Sequence, residues 1–399
     1  MMGRYKEMMI EIEGQGYDLS GKYVSPYCFD DINLQKTLLS LSSKGICYYS
    51  GRRGLVVPME DATNYISRYL LEYFDDSDQC DLYLANGLLD DGEENDKNSP
   101  HTSFGPYLVR KDSLRFDCTC DLFEHVGLLT DYDELNNDLI ESIGEHWWIE
   151  KDPFIISVGD ELSLKWKTFS DSVMHRQRFT FLANSEFNGE PERTDNGLFD
   201  ILTELGSIIN KHTLCRTINE DKILYRARPL EEKVEYTFEQ ITSPPDEKAK
   251  QNRMSPAGVS MFYGALDKET PVYESSDKGD GKGWFLVGSF KALIPLKVLD
   301  LTNLPSPITF WMEGFEEIAF LKSFHNEITR HIDRGDGIHV EYIPSQVFTE
   351  YLHFMYRGER LDGMLYRSSL TGGTNIVLFC NQKESQKLLK VIAYDEIRN

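Results

Sequence analysis

From Asp61 onward, apolar side chains recur at Ile66, Tyr69, Leu70 and Tyr73 before the run ends at Phe74. Intervals of three and four are the period of a helix with one buried face. Asp61 is a residue of the capping type, so a helix is predicted from there to Phe74. Two later stripes read the same way: Leu162, Trp166, Phe169 and Val173 within 160–179, and Leu198, Ile201, Leu202, Leu205 and Ile208 within 197–210. Residues 75–97 are acidic and rich in turn formers, which reads as an exposed loop with solvated charges around a short apolar segment.

After about Asn219 the texture changes. Ile223–Arg226, Val259–Tyr263, Gly283–Val287, Leu296–Leu301 and Asn375–Phe379 are short runs rich in β-branched and aromatic residues, the composition of strands. Helical spacing returns at Trp311–Ile328 and Pro344–Tyr356. The expectation is an α+β chain in two domains, mainly helical over 1–215 and a mixed β-sheet over 221–399, with the boundary near Thr213–Asp221.

Composition sharpens this picture. A chain of 399 residues, 40% hydrophobic and 12% aromatic, can bury two cores and is not disordered. The net charge of −24 is uneven: residues 1–220 hold 20 Lys/Arg against 40 Asp/Glu, and residues 221–399 hold 22 against 26. So acidic an N-terminal half repels a phosphate backbone, and no nucleic-acid partner is expected. A small anion in a locally basic pocket is still admissible. The seven cysteines are odd in number and sparse, as expected of reduced thiols. The N-terminal MMGRYKEMMIEIEG has no apolar core, and no segment offers about 18 uninterrupted apolar residues. A cytoplasmic protein with no membrane partner is the expectation.

Three segments of the second half line up in order. They are Leu224-Tyr-Arg226-Ala-Arg228-Pro229, then Asn252–Glu274 with Arg253, Pro256, Gly258, Phe262-Tyr263 and Pro271-Val-Tyr-Glu274, then Asp362-Gly-Met-Leu-Tyr366-Arg-Ser368 with Gly372-Gly373 and the strand Asn375–Phe379. Tyr342-Ile-Pro-Ser-Gln346 precedes the third. This order resembles the RES domain, a bacterial family named for its spaced Arg, Glu and Ser, over roughly 221–395. Cys47, Trp147-Trp148 and His175-Arg176-Gln177-Arg178-Phe179 more loosely resemble the helical region, classed with HEPN domains, that precedes some RES domains. The resemblance implies a fold like that of ADP-ribosyltransferases, NAD as substrate, and a toxin whose partner is an antitoxin protein. It carries over Arg226, Glu274 and Ser368 as catalytic positions, with Tyr263, Arg253 and Tyr366 against NAD.

Each of these residues suits that chemistry. Breaking the nicotinamide–ribose bond develops positive charge on the sugar, which a carboxylate, Glu274, would stabilise. A guanidinium fork clamps a pyrophosphate as Lys does not, with Arg226 the first choice and Arg253 the second. Tyr263 offers a face for nicotinamide and Ser368 an orienting hydroxyl. Gly258 and Pro256 let the turn come close to a ligand. The plainer readings are an Arg226–Glu274 ion pair, a core role for Tyr263, a turn cap at Ser368 and a solvated Arg253; Ser369 competes with Ser368 by one register.

Other patterns carry less. Cys118-Thr-Cys120 with His125 and Cys47 has poor spacing for zinc, so free thiols and no metal are expected. Arg334–His339 matches the spacing of HEPN ribonucleases but sits in the wrong domain, and His175–Arg178 neutralises a helix C-terminus. Neither a triphosphate loop nor a two-glycine dinucleotide fingerprint is present, so NAD would be consumed and not used as a hydride carrier. The rivals to NAD glycohydrolysis or phosphorolysis are ADP-ribose transfer to a protein, and an inactive scaffold whose acidic half binds a basic partner. A long N-terminal domain could also hold the site closed, in which case removing it to leave 216–399 would raise activity.

Overall fold

A computed structural model describes residues 19, 21–76, 115–151, 156–178, 200–230, 237–276, 281–330 and 338–398. Most of the acidic run (77–97), Leu198, Phe179 and Arg334 lie outside the described residues. The chain divides into two compact units, Met1–Ser157 with Pro307–Phe315, and Val158–Ser306 with Glu316–Asn399.

The first unit places helix α1 (Ile32–Ser40) and helix α2 (Met59–Tyr73) around an antiparallel sheet in the order β1 (Tyr23–Val24), β3 (Arg53–Pro58), β2 (Ser43–Ile46). A second small sheet runs β4 (Phe74–Asp76), β6 (Trp148–Glu150), β5 (Arg115–Phe116), beside α3 (Thr119–His125) and α4 (Asp133–Ile143). The predicted stripe of α2 is buried at Ile66, Tyr69 and Leu70. Its start differs: Pro58 takes the N-cap and Asp61 falls in the first turn, where a negative charge suits the helix dipole.

Trp311 belongs to this core. Its ring stacks on Tyr69 at 5.4 Å and its indole N–H donates to the Val126 carbonyl at 2.8 Å. The predicted helix over Trp311–Ile328 therefore begins only at Phe315, because the residues before it cross into the first unit. Large aromatic surface outweighs sequence proximity there.

The second unit begins earlier than composition suggests. Helix α5 (Val158–His175) and helix α6 (Asp200–Lys211) lie in it, and their side chains show why. The ring of Trp166 meets Phe324 edge-on at 4.8 Å, and Lys165 bridges to Glu204 of α6 at 2.6 Å. Lys211 and His212 both reach Glu317. Burial pushes the Glu317 carboxyl up, but these two partners outweigh it and hold it below the usual range.

The sheet of this unit has eight strands in the order β14 (Leu389–Arg398), β10 (Trp284–Ala292), β8 (Ile223–Pro229), β9 (Phe262–Ala265), β13 (Thr374–Leu378), β12 (Gly363–Arg367), β11 (Leu296–Asp300), β7 (Cys215–Ile218). Only β11 and β12 pair in parallel. Side chains alternate between two cores: Leu224, Phe262, Phe290, Leu365 and Ile376 on one face, Ala227, Val272, Phe285 and Val287 on the other. Short helices α7 (Phe238–Ile241), α8 (Thr270–Ser275), α10 (Ile338–Glu341) and α12 (Gln382–Leu388) and the longer α9 (Phe315–Thr329) and α11 (Ile343–Phe354) cover the sheet and its ends.

Candidate active site

Glu274 sits near the end of α8, whose start is tightly fixed. The Asp267 carboxylate accepts from the Thr270 amide at 2.7 Å and its hydroxyl at 2.9 Å, and Ser275 at the far end donates to the Ala227 carbonyl of β8. The side chain of Glu274 is exposed, yet its Oε1 is held by two donors. Ser368 Oγ donates to it at 2.7 Å and Asn375 Nδ2 at 2.9 Å. Oε2 has no partner among the described residues.

Ser368 is buried at the end of β12, whereas Ser369 is exposed. Its hydroxyl oxygen accepts from the amides of Leu370 and Thr371, each at 3.2 Å, while its proton goes to Glu274. The turn-cap reading and the site reading therefore describe one hydroxyl. The glycine pair divides the remaining work: Gly372 takes φ +72°, and a Cβ on Gly373 would collide with the Thr270 hydroxyl. A side chain at Gly372 would have open space around it but a strained backbone, whereas one at Gly373 would press on Thr270 and Asp267 at the start of α8.

Asn375 was not singled out from the sequence. The signal was a lone amide opening an otherwise apolar strand, which must find a partner once buried; the partner lies 101 residues away.

Arg253 occupies the turn Asn252–Gly258. Its Nη1 donates to the carbonyls of Ile328 and Arg330 at 3.1 and 2.6 Å, and its guanidinium lies over the Tyr342 ring at 5.1 Å. The Tyr342–Gln346 segment holds this turn: Ser345 donates to the Arg253 carbonyl at 2.6 Å, and Gln346 to those of Asn252 and Ser255 at 2.8 and 3.3 Å. Gly258 closes the turn at φ +86°, a conformation that costs glycine little.

Tyr263 shares its hydroxyl with Ser255 at 2.8 Å, and burial raises its phenol well above the usual range. Burial also raises Tyr366, reinforced by the negative charge of Glu274 and by Tyr263, with Arg253 opposing. Tyr366 stands opposite Asn375 in the ladder, and so on the face where Asn375 meets Glu274. Both tyrosines are neutral O–H donors at physiological pH.

Arg226 touches this group only through the Tyr263 backbone, its side chain lying on the other face of the sheet. It shares its face with Leu224, lies over the Phe262 ring at 5.4 Å and donates from Nη1 to the Tyr263 carbonyl at 2.5 Å. Its strand neighbour Ala227 packs with Val272 of α8 on the opposite face. No Arg226–Glu274 ion pair forms. Burial, with Arg228 adding repulsion, pulls the Arg226 guanidinium down to about 9, and its Nε is buried without a partner.

Of the remaining candidates, Arg178 donates to the Met174 carbonyl at the end of α5. Cys47 lies in the first unit, 3.6 Å from Cys28, and accepts from the Ser25 and Ser50 amides. Cys118, at the N-cap of α3, accepts from the Asp121 amide.

An eight-stranded mixed sheet flanked by helices, with Arg226, Glu274 and Ser368 following one another along the chain, defines a protein of the α+β class. Residues 223–397 match the RES domain family, and residues 41–187 match HEPN/RES N-terminal domain 1. The chain thus carries a RES domain behind an N-terminal domain of the HEPN/RES type. No curated protein and no solved structure matches the chain. Among the described residues, no helix is long and apolar enough to cross a membrane.

Proposed function

We propose that the RES domain cleaves NAD at the nicotinamide–ribose bond, acting as a toxin or defence effector. RES domains are known in NADase-like toxin systems, which supports an NAD-related role. The observation that carries the finer reading is Glu274: an exposed carboxylate with one oxygen locked by Ser368 and Asn375 and the other uncommitted.

In this mechanism the C1′–N bond breaks and its electron pair leaves with nicotinamide. The carboxylate of Glu274 faces the sugar cation, and the fixed Ser368 and Asn375 donors spare the site reorganisation. Water or phosphate then adds at C1′; with water the products are ADP-ribose, nicotinamide and a proton. Arg253 is the phosphate clamp, since its charge, like that of Glu274, acts on Tyr366, whereas the Arg226 guanidinium is turned to the Phe262 ring on the other face of the sheet. Arg226 is a positioning residue that holds β9 through the Tyr263 carbonyl. Tyr263 and Tyr366 supply neutral hydroxyls and ring faces to nicotinamide.

The test is NAD loss and nicotinamide release by the purified full chain, with and without phosphate, beside Glu274→Gln. A loss of about 10²- to 10³-fold in kcat in the variant is expected for removing one preorganised charge. Equal rates in the two proteins would sink the assignment, and phosphate dependence selects the acceptor.

A further inference from the structure

A cavity of about 480 Å³ opens in the second unit between α5, the end of α9 and the start of α11, within the roughly 300–1,000 Å³ typical of small-molecule sites. Its walls include Trp166 and Ser170 from α5, Glu327 from α9, Tyr342, and Arg253 from the site turn. Glu274, Ser368, Asn375 and Tyr366 do not line it. Arg253 alone joins it to the candidate active site. The helix forming one wall, α5, lies in the stretch matched to the N-terminal family and outside the RES match.

The lining chemistry is selective. The aromatic part of the wall is Tyr342, with the Arg253 guanidinium over its ring, and the little of the Trp166 ring left uncovered by Phe169 and Phe324. Ser170 is 5% exposed and its hydroxyl has no partner, a deficit that a bound acceptor or donor would repair. Glu327 accepts the Trp166 indole N–H at 3.0 Å through Oε1, which leaves its second oxygen to accept from a ligand. Glu341 is neutralised by Arg330 at 3.4 Å, which leaves Glu327 as the carboxylate that disfavours a phosphate beside Trp166 and Ser170. The interior therefore suits an uncharged, N–H-bearing heteroaromatic ring, while the Arg253 guanidinium suits the phosphate attached to it.

We propose that this cavity seats the adenine base of the dinucleotide, with Ser170 and Glu327 hydrogen-bonding its edge and Arg253 on the adjoining phosphate. The inference rests on the NAD reading and deepens it: the N-terminal family segment contributes specificity-determining residues to the substrate site. Because the reacting carboxylate lies outside the cavity, the end of the substrate seated there is the one remote from the cleaved bond.

The experiment is calorimetric titration of the full chain with AMP, IMP and nicotinamide mononucleotide, in wild type, Ser170→Ala and Ser170→Leu. AMP is expected to bind wild type, about three- to tenfold more weakly to Ser170→Ala, and not measurably to Ser170→Leu, whose side chain fills the space. IMP, which lacks the exocyclic amine facing Glu327, should bind about tenfold more weakly than AMP. Nicotinamide mononucleotide should be indifferent to both substitutions. Ser170→Ala removes an unsatisfied hydroxyl from a helix, so folding is not at risk. No AMP binding to wild type, or AMP binding unchanged in Ser170→Leu, overturns the proposal. NAD cleavage that needs Glu274 but keeps its KM in Ser170→Leu would overturn this inference and leave the NAD reading standing; AMP binding lost in Ser170→Leu without any NAD cleavage would do the reverse.

Discussion

Ser368 and Asn375 act on a single atom, Glu274 Oε1, and their loss should be felt in the chemical step. Replacing either by Ala removes one charge-assisted hydrogen bond, and a fall in kcat of about tenfold with little change in KM is expected; steady-state kinetics would show it. A second residue-scale prediction concerns His325, buried beneath the end of β12, where its Nε2 accepts the Arg367 amide at 3.1 Å. Burial pulls its imidazole down from 6.5 to about 4, with the Arg367 charge adding and Asp300 opposing. The unfolded chain therefore binds the proton first, so this contribution to stability is whole above pH 6.5 and is lost as pH falls toward 4. Thermal melts should show a decline in Tm through that window that His325→Gln lessens, and an unchanged slope in the variant would refute it. At this scale the sequence disclosed residue identity but not facing. Arg226 read as the first choice for the phosphate clamp and Arg253 as the second, and only strand alternation shows that Arg226 faces Phe262.

Elements were legible in proportion to how regular their burial is. The stripes of α2, α5 and α6 and the apolar runs of β8, β10, β11 and β13 were readable because each buries one face or lies in the sheet interior. Strand β14 was missed: it is an edge strand, largely exposed, without a clean alternation of apolar and polar residues, and only its pairing along the whole of β10 makes it a strand. Strand β9 begins later than its composition suggests, at Phe262, since Val259 still donates to the Pro256 carbonyl of the turn and Ser260 donates to the Pro244 carbonyl. The contact between α8 and the β12–β13 turn yields a prediction of its own. Gly373→Ala must push against Thr270, at a cost of about 1–3 kcal/mol typical of overpacking. A lower Tm together with an activity loss resembling that of Glu274→Gln is expected, and a fully active, unshifted variant would refute the steric account.

For the whole molecule, the division of the chain into units argues against a simple inhibitory N-terminal domain. A fragment 216–399 would lack α5 and α6, exposing Phe324 and stripping Glu317 of Lys211 and His212. It is expected to unfold without cooperativity and to show no NAD turnover, whereas a well-folded, hyperactive fragment would restore the inhibitory reading. Trp311→Ala should destabilise the first unit by about 3–5 kcal/mol although it lies 154 residues beyond Ser157, which denaturant titration monitored over that unit would measure. What the sequence determined by itself was local: element type from the spacing of apolar side chains, the ordered Arg, Glu and Ser motifs, and the acidic bias of the N-terminal half. What only the tertiary structure decided was non-local. The partner of Asn375, the facing of Arg226, the excursion of Trp311 and the packing of α5 against α9 each depend on surfaces far apart in the chain, and burial free energy selects such pairings by shape and area, which leave no periodic trace along the sequence.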